Sequence, residues 1–210
     1  AQLFDSPEIM QALQVTLTVA VLATLVATVI GSLGAIGIHA MKTGRANALI
    51  NLSYLSMTTP DIATGVSLML MFVFMKIPLG WGTMLMAHIA FDTPYVLFSV
   101  LPKLRQMNPS TYEAALDLGC KPGKALRKVI LPQIMPGIVT GALLSFTMSL
   151  DDFVISYFTS NTDQNLSMIV YSAARRGIEP TIYALSTLMF LAVLVLLVVI
   201  NKRSSLEDVS

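Results

Sequence analysis

The chain has 210 residues, of which 55% are hydrophobic and 12% charged, with a mean hydropathy of +0.73. Soluble domains carry about 25% charged residues, so this chain has more apolar surface than a globule of its size can bury, and lipid must cover the excess. A net charge of +1 gives no field to hold a polyanion, which sets nucleic acid aside as a partner.

Crossing the hydrocarbon as a helix takes about 20 mainly apolar residues. Five such spans are expected, at about 13–40, 56–75, 82–102, 134–158 and 182–200. The fold class is therefore all-α, a polytopic transmembrane bundle, with residues 1–210 as one membrane domain. The chain opens with Ala1 and shows no signal peptide before the first span. A further span or a leader upstream is expected.

In the first span Ala23, Ala27, Gly31, Ala35 and His39 recur every four residues, with Thr24, Thr28 and Ser32 beside them. Small residues on one stripe let a second helix approach closely, and hydroxyls can bond across the contact. His39 ends the stripe as an interfacial residue. Residues 46–75 are too long for one perpendicular span. Pro60 interrupts them, since its nitrogen cannot donate a helix bond. An amphipathic lead-in over 46–56 and then a broken or kinked span are expected. Pro78, Gly80 and Gly82 mark a turn, with Trp81 as an interfacial anchor. The third span carries Asp92 at its centre.

A polar, basic loop follows, over 103–133. Asn108-Pro109 starts a helix, with Asn as cap and Pro at the first position. Ser110 and Glu113 add a capping-box pattern. Gly119 stands where a left-handed stop belongs. Lys121-Pro122-Gly123 makes a turn, and residues 124–130 form a second helix. Leu131-Pro132 and Pro136 are expected to break the chain back into the bilayer. Tyr112, Ala115, Leu116 and Gly119 fall on one side of the first helix, a flat face for a partner. The fourth span is expected to end in Ser149-Leu150-Asp151-Asp152-Phe153. An outer loop covers 159–181, and the last span ends at Asn201-Lys202-Arg203.

Placing the 103–133 loop in the cytoplasm puts Lys42, Arg45, Lys103, Arg105, Lys121, Lys124, Arg127, Lys128, Lys202 and Arg203 inside. Only Lys76, Arg175 and Arg176 lie outside, which satisfies the positive-inside bias. The N-terminus is then outside and the C-terminus cytoplasmic.

Catalytic chemistry is not apparent. Gly119-Cys120-Lys121-Pro122-Gly123-Lys124-Ala125 is one residue short of a phosphate loop, lacks its Ser or Thr, and follows a helix. Two separated histidines, His39 and His88, cannot build a metal cluster. Cys120 alone excludes an internal disulfide and a cysteine metal site. The 13 methionines serve as packing filler. Asn51-Leu-Ser53 and Asn165-Leu-Ser167 match a glycosylation pattern too short to carry weight.

The acidic residues do carry weight. A carboxylate at mid-bilayer costs about 2.5–3.5 kcal/mol on insertion scales. Asp92, Asp151 and Asp152 lie in or near spans, and Asp61 adjoins the Pro60 break. No Lys or Arg occupies the span cores, so a cationic solute is a candidate partner. Tyr95, Phe153, Tyr157 and Phe158 could add cation–π contact. Helix neighbours point about 100° apart. Asp151 and Asp152 therefore cannot both face one narrow path, and one can be structural.

Glu113-Ala114-Ala115, Gly119, and Val129-x-Leu131-Pro132 resemble the EAA motif of ABC-importer permeases, with Val129 in place of Ile. Residues 149–158, Ile169-x-Tyr171-Ser172 and Arg176-Gly177-x-x-Pro180 resemble the C-type subunits of the spermidine/putrescine branch. The resemblance covers residues from about 8 to 200. It implies a six-span permease in a bacterial inner membrane, whose first span precedes this chain. It implies that Glu113, Ala114, Ala115, Gly119, Leu131 and Pro132 belong to a coupling loop. Partners would be a cytoplasmic ATPase homodimer, which binds the ATP, a second homologous permease and a periplasmic substrate-binding protein. This chain would hold no cofactor of its own, and polyamine would be the substrate. An importer for another solute, such as ferric ion, and an ATP-independent secondary transporter remain as alternatives.

Overall fold

The computed structural model describes residues 7–176 and 180–207. Among them the secondary structure is helical throughout: α1 (Pro7–His39), α2 (Thr43–Thr58), α3 (Asp61–Phe74), α4 (Trp81–Gln106), α5 (Pro109–Asp117), α6 (Pro122–Ala125), α7 (Leu131–Asp151), α8 (Val154–Thr159), α9 (Leu166–Arg176) and α10 (Pro180–Glu207). A π-helical turn, Leu126–Ile130, joins α6 to α7.

Helices α1, α4 and α7 pack mutually and form the core. The four-residue stripe on α1 is the seam: Ala23, Ala27, Gly31 and Ala35 are buried, while His39 is exposed. A Cβ on Gly31 would come within 2.8 Å of the Val96 Cβ on α4. One on Gly137 of α7 would come within 2.7 Å of the Ser99 carbonyl oxygen. These backbones therefore approach more closely than any side chain allows, the mode of packing favoured where lipid removes a hydrophobic drive. The opposite side of α1 exposes Leu25, Val29 and Leu33, as a lipid-facing surface would.

Among the described residues three helices are long and apolar enough to cross a membrane: α1, α4 and the continuous helix Pro122–Asp151. The bent pair α2–α3 raises the number to four, with an angle of 106° between its halves. The break expected at Pro60 is present, at Thr59-Pro60. Alone, the 14 residues of α3 span about 21 Å, less than the roughly 30 Å of hydrocarbon. The described part of α10 contributes a shorter apolar helix, Tyr183–Val198.

Three expectations are corrected. The fourth span does not run to residue 158: α7 stops at Asp151, the backbone of Asp152 is extended, and α8 starts at Val154. The loop 159–181 contains the helix α9. Leu131-Pro132 and Pro136 do not break the chain, because the helix is continuous from Pro122 to Asp151. A proline lacks a donor and crowds the carbonyl one turn back, and the π-turn just before Pro132 absorbs that clash. There the Leu131 N–H bonds to the Leu126 carbonyl, five residues back. Asn108 caps α5 as expected, its side chain accepting from the Ser110 N–H at 3.0 Å, with Pro109 at the first helical position.

The rest of the hairpin follows its sequence signals. Gly119 has φ +82°. The Cys120 N–H bonds to the Ala115 carbonyl at 3.0 Å, and the Gly119 N–H to the Leu116 carbonyl at 2.8 Å. This is a Schellman stop, which requires a left-handed residue. The Arg176-to-Pro180 stretch that carries part of the family resemblance lies largely outside the described residues, as does Ala1.

Candidate functional site

The α7–α8 break creates the chemically distinctive part of the molecule. A helix that restarts exposes free N–H groups, and Asp152 supplies acceptors for them. Its carboxylate accepts from the Ile155 N–H at 3.2 Å, the Ser156 N–H at 2.8 Å and the Ser156 hydroxyl at 3.0 Å. The Asp152 side chain is 7% exposed.

His88 of α4 braces the same break. Its Nδ1 lies 2.7 Å from the Ser149 hydroxyl, its Nε2 is 2.9 Å from the Ser156 hydroxyl and 3.5 Å from the Asp152 carboxylate. Asn165 closes the network from the α9 side. Its amide donates to the Asp152 carbonyl at 2.9 Å and the Ser156 hydroxyl at 2.8 Å, while its oxygen accepts from the Met168 N–H at 2.8 Å. The N-terminal end of α4 is tied to the same region: Asp163 accepts from the Trp81 N–H, and the Thr83 hydroxyl donates to the Thr159 carbonyl, both at 2.8 Å.

Beside the break lies a cleft of about 280 Å³ lined by Asp61, Phe91, Thr147, Asp151, Asp152 and Phe153. Three of the four acids picked out in the sequence thus meet in one place, and no Lys or Arg lines it among the described residues. Asp61 arrives from the start of α3, because α3 packs on α8, with Gly65 against Phe158. Asp151 is exposed, and it also borders a second cleft of about 470 Å³, walled by Phe153, Tyr171 and Phe190. Phe153 stacks on Tyr171 at 4.1 Å and lies 5.4 Å from Tyr157.

Asp92 does not reach the cleft. It is wholly buried in the α1–α4–α7 core, and neither carboxylate oxygen has a hydrogen-bond partner within 3.5 Å. The Ser145 hydroxyl lies beside it and 3.5 Å from the Thr24 hydroxyl. Tyr95 is half-buried and packs on Phe91 at 5.5 Å, behind the cleft wall. Tyr157 is 55% exposed, on the outer side of α8.

The second region is the hairpin. Glu113, Ala114, Gly119 and Pro132 are exposed, and Leu118 is 89% exposed. Ala115 is half-buried with Tyr112 and Leu116, and Leu131 packs on the bundle core. The face drawn from helical spacing therefore divides: its Tyr112–Leu116 side turns inward, and the outward tip is Glu113, Ala114, Leu118 and Gly119. Sequence reasoning passed over Leu118, and set His88 aside as no metal ligand and Asn165 as a chance glycosylation pattern. An ionisable residue inside a span was the available signal for His88. Leu118 and Asn165 gave none.

A family model described as binding-protein-dependent transport system inner membrane component matches residues 27–202. The chain is 36% identical over 208 residues to the spermidine/putrescine transport system permease protein PotC of Haemophilus influenzae, covering 97% of this chain and 81% of that protein. It is 37% identical over 202 residues to the putrescine transport system permease protein PotI of Escherichia coli, covering 91% and 71%. In fold it is similar to a chain of the inward-facing MetNI methionine ABC transporter, with TM-score 0.75, 18% identity, and 94% and 96% coverage. It is similar also to a chain of a bacterial alginate ABC transporter, with TM-score 0.74, 17% identity, and 97% and 80% coverage. With a membrane bundle, an interhelical cleft and a matched stretch spanning most of its length, this chain belongs to the family of inner membrane components of binding-protein-dependent transport systems.

Proposed function

We propose that this chain is a membrane permease subunit of an ATP-driven importer for polyamines and forms half of the translocation path. One observation carries the substrate class: Asp61, Asp151 and Asp152 converge on a cleft beside aromatic rings, with no Lys or Arg lining it among the described residues. A polyamine offers ammonium groups joined by apolar linkers. Carboxylates bind the former, and Phe91 and Phe153 pack the latter while adding cation–π contact. The relatives named for spermidine and putrescine transport support the same class.

The hairpin is the coupling element. An apolar side chain as exposed as Leu118, set beside Glu113, Ala114 and Gly119, is what a docking knuckle requires. Its partner would be a cytoplasmic ATPase homodimer, which binds and hydrolyses the ATP. A second permease would complete the path, and a periplasmic binding protein would deliver the substrate. Counting α10 and the bent α2–α3 pair, the chain would cross an inner membrane five times, with its N-terminus periplasmic and its C-terminus cytoplasmic.

Radiolabelled spermidine and putrescine uptake into vesicles containing all subunits tests this reading. Uptake is expected to require ATP and to be suppressed by competing polyamines. Uptake sustained by an ion gradient without nucleotide would identify a secondary transporter instead.

A further inference from the structure

His88 is wholly buried, yet it touches neither cleft. Its partners explain its place. Nδ1 meets Ser149, the last turn of α7, and Nε2 meets Ser156, the first turn of α8. Between those two clamped positions lie Asp151, Asp152 and Phe153, the residues that the break turns toward Asp61.

The hydrogens can be assigned from the network. The Asn165 oxygen accepts from the Met168 N–H, so its amide nitrogen faces Ser156 and donates to it. The Ser156 hydroxyl donates to the Asp152 carboxylate at 3.0 Å. The Ser156 oxygen then takes its second hydrogen bond from His88, which must carry its proton on Nε2. Nδ1 is left as an acceptor for the Ser149 O–H. One neutral imidazole thus links Ser149 through Ser156 to Asp152 with each proton used once.

We propose that His88 is the positioning residue of the acid cleft: by bonding to Ser149 before the break and Ser156 after it, it holds Asp151, Asp152 and Phe153 in the orientation that faces Asp61. The proposal rests on the reading of that cleft as a cation site. Locally the turn is held by the Asp152 side chain, which caps the start of α8, and no proline or glycine stands at 150–154 to restrict the backbone further. Its long-range bracing comes from α4 through His88 and from α9 through Asn165. Replacing His88 should leave the three acids in the chain but no longer aligned on one cation.

The test uses the assembled transporter with Cys120→Ser and one reporter, Met148→Cys, which lines the cleft. The reporter is labelled with a cationic aminoethyl thiosulfonate and with a neutral methyl analogue. Their rate ratio reads the local field, whereas a general loosening changes both rates together and cancels. In the parent the cationic reagent should be favoured about tenfold over its ratio with a free thiol. Asp151→Asn should remove most of that preference. His88→Leu should do the same, with Asp151 still present, and His88→Gln, which keeps a donor for Ser156, should restore at least part of it. If His88→Leu does not assemble, Ser149→Ala and Ser156→Ala carry the same comparison. A parental ratio in His88→Leu or in both serine variants, alongside loss in Asp151→Asn, overturns the positioning role and leaves the cation cleft standing. No recovery in His88→Gln also overturns it. A parental ratio in Asp151→Asn overturns the cleft reading and this inference with it.

Discussion

Gly119→Asp is expected to abolish uptake while the protein inserts into the membrane at its normal level. Two effects combine. Gly119 has φ +82°, where an L side chain costs about 1–2 kcal/mol, and its N–H closes the α5 stop. The residue is also at the exposed tip with Glu113, Ala114 and Leu118. A carboxylate forced unpaired into a protein contact costs about 2–5 kcal/mol, enough to lower docking by more than tenfold. The bundle core is remote from the hairpin tip, so insertion should not change. Gly119→Asn separates the causes, because Asn tolerates the left-handed region and brings no charge. It should retain measurable uptake. Uptake at the parental rate in Gly119→Asp would remove the hairpin from the coupling mechanism.

Asp151→Asn and Asp152→Asn should fail in different ways. Asp151 is exposed and borders both clefts. Its substitution should leave assembly and melting temperature unchanged while cutting uptake at limiting polyamine about tenfold or more, the scale of one lost charge-assisted contact. Asp152 accepts three donors across the break. An amide there keeps one acceptor and turns an NH2 toward existing donors. Loss of a buried acceptor costs about 1–3 kcal/mol, so Asp152→Asn should lower the melting temperature of the purified complex as well as its flux. Both quantities can be read from one preparation. Parental uptake in Asp151→Asn at limiting substrate would exclude it from the path.

These two aspartates mark the boundary of what the sequence made legible. Apolar runs located α1 and α4, and spacing located the small-residue seam, because both depend on one helix at a time. The hairpin was legible for the same reason: the Asn108 cap and the left-handed Gly119 are local backbone chemistry. The break after Asp151 was not. Residues 149–158 contain neither proline nor glycine, and the one local signal is Asp152, whose side chain caps the restarted helix. The stop is also braced by His88, 61 positions from Ser149, and by Asn165, which bonds to Asp152 and Ser156 and to the first turn of α9. The π-turn was equally hidden, since two prolines signalled a break that one wider turn absorbs. Of the acids, the sequence could name four but not sort them. The fold sends Asp61, Asp151 and Asp152 to one cleft and seals Asp92 in the core.

The most direct measurement of the central claim is contact at the hairpin tip. Leu118→Cys in a Cys120→Ser background, carrying a short photo-crosslinker, would be illuminated in vesicles with the complete transporter. The account predicts a covalent adduct between this chain and the ATP-hydrolysing subunit, with a yield that changes on adding ATP. A transporter that imports polyamine normally while position 118 captures only solvent would contradict it.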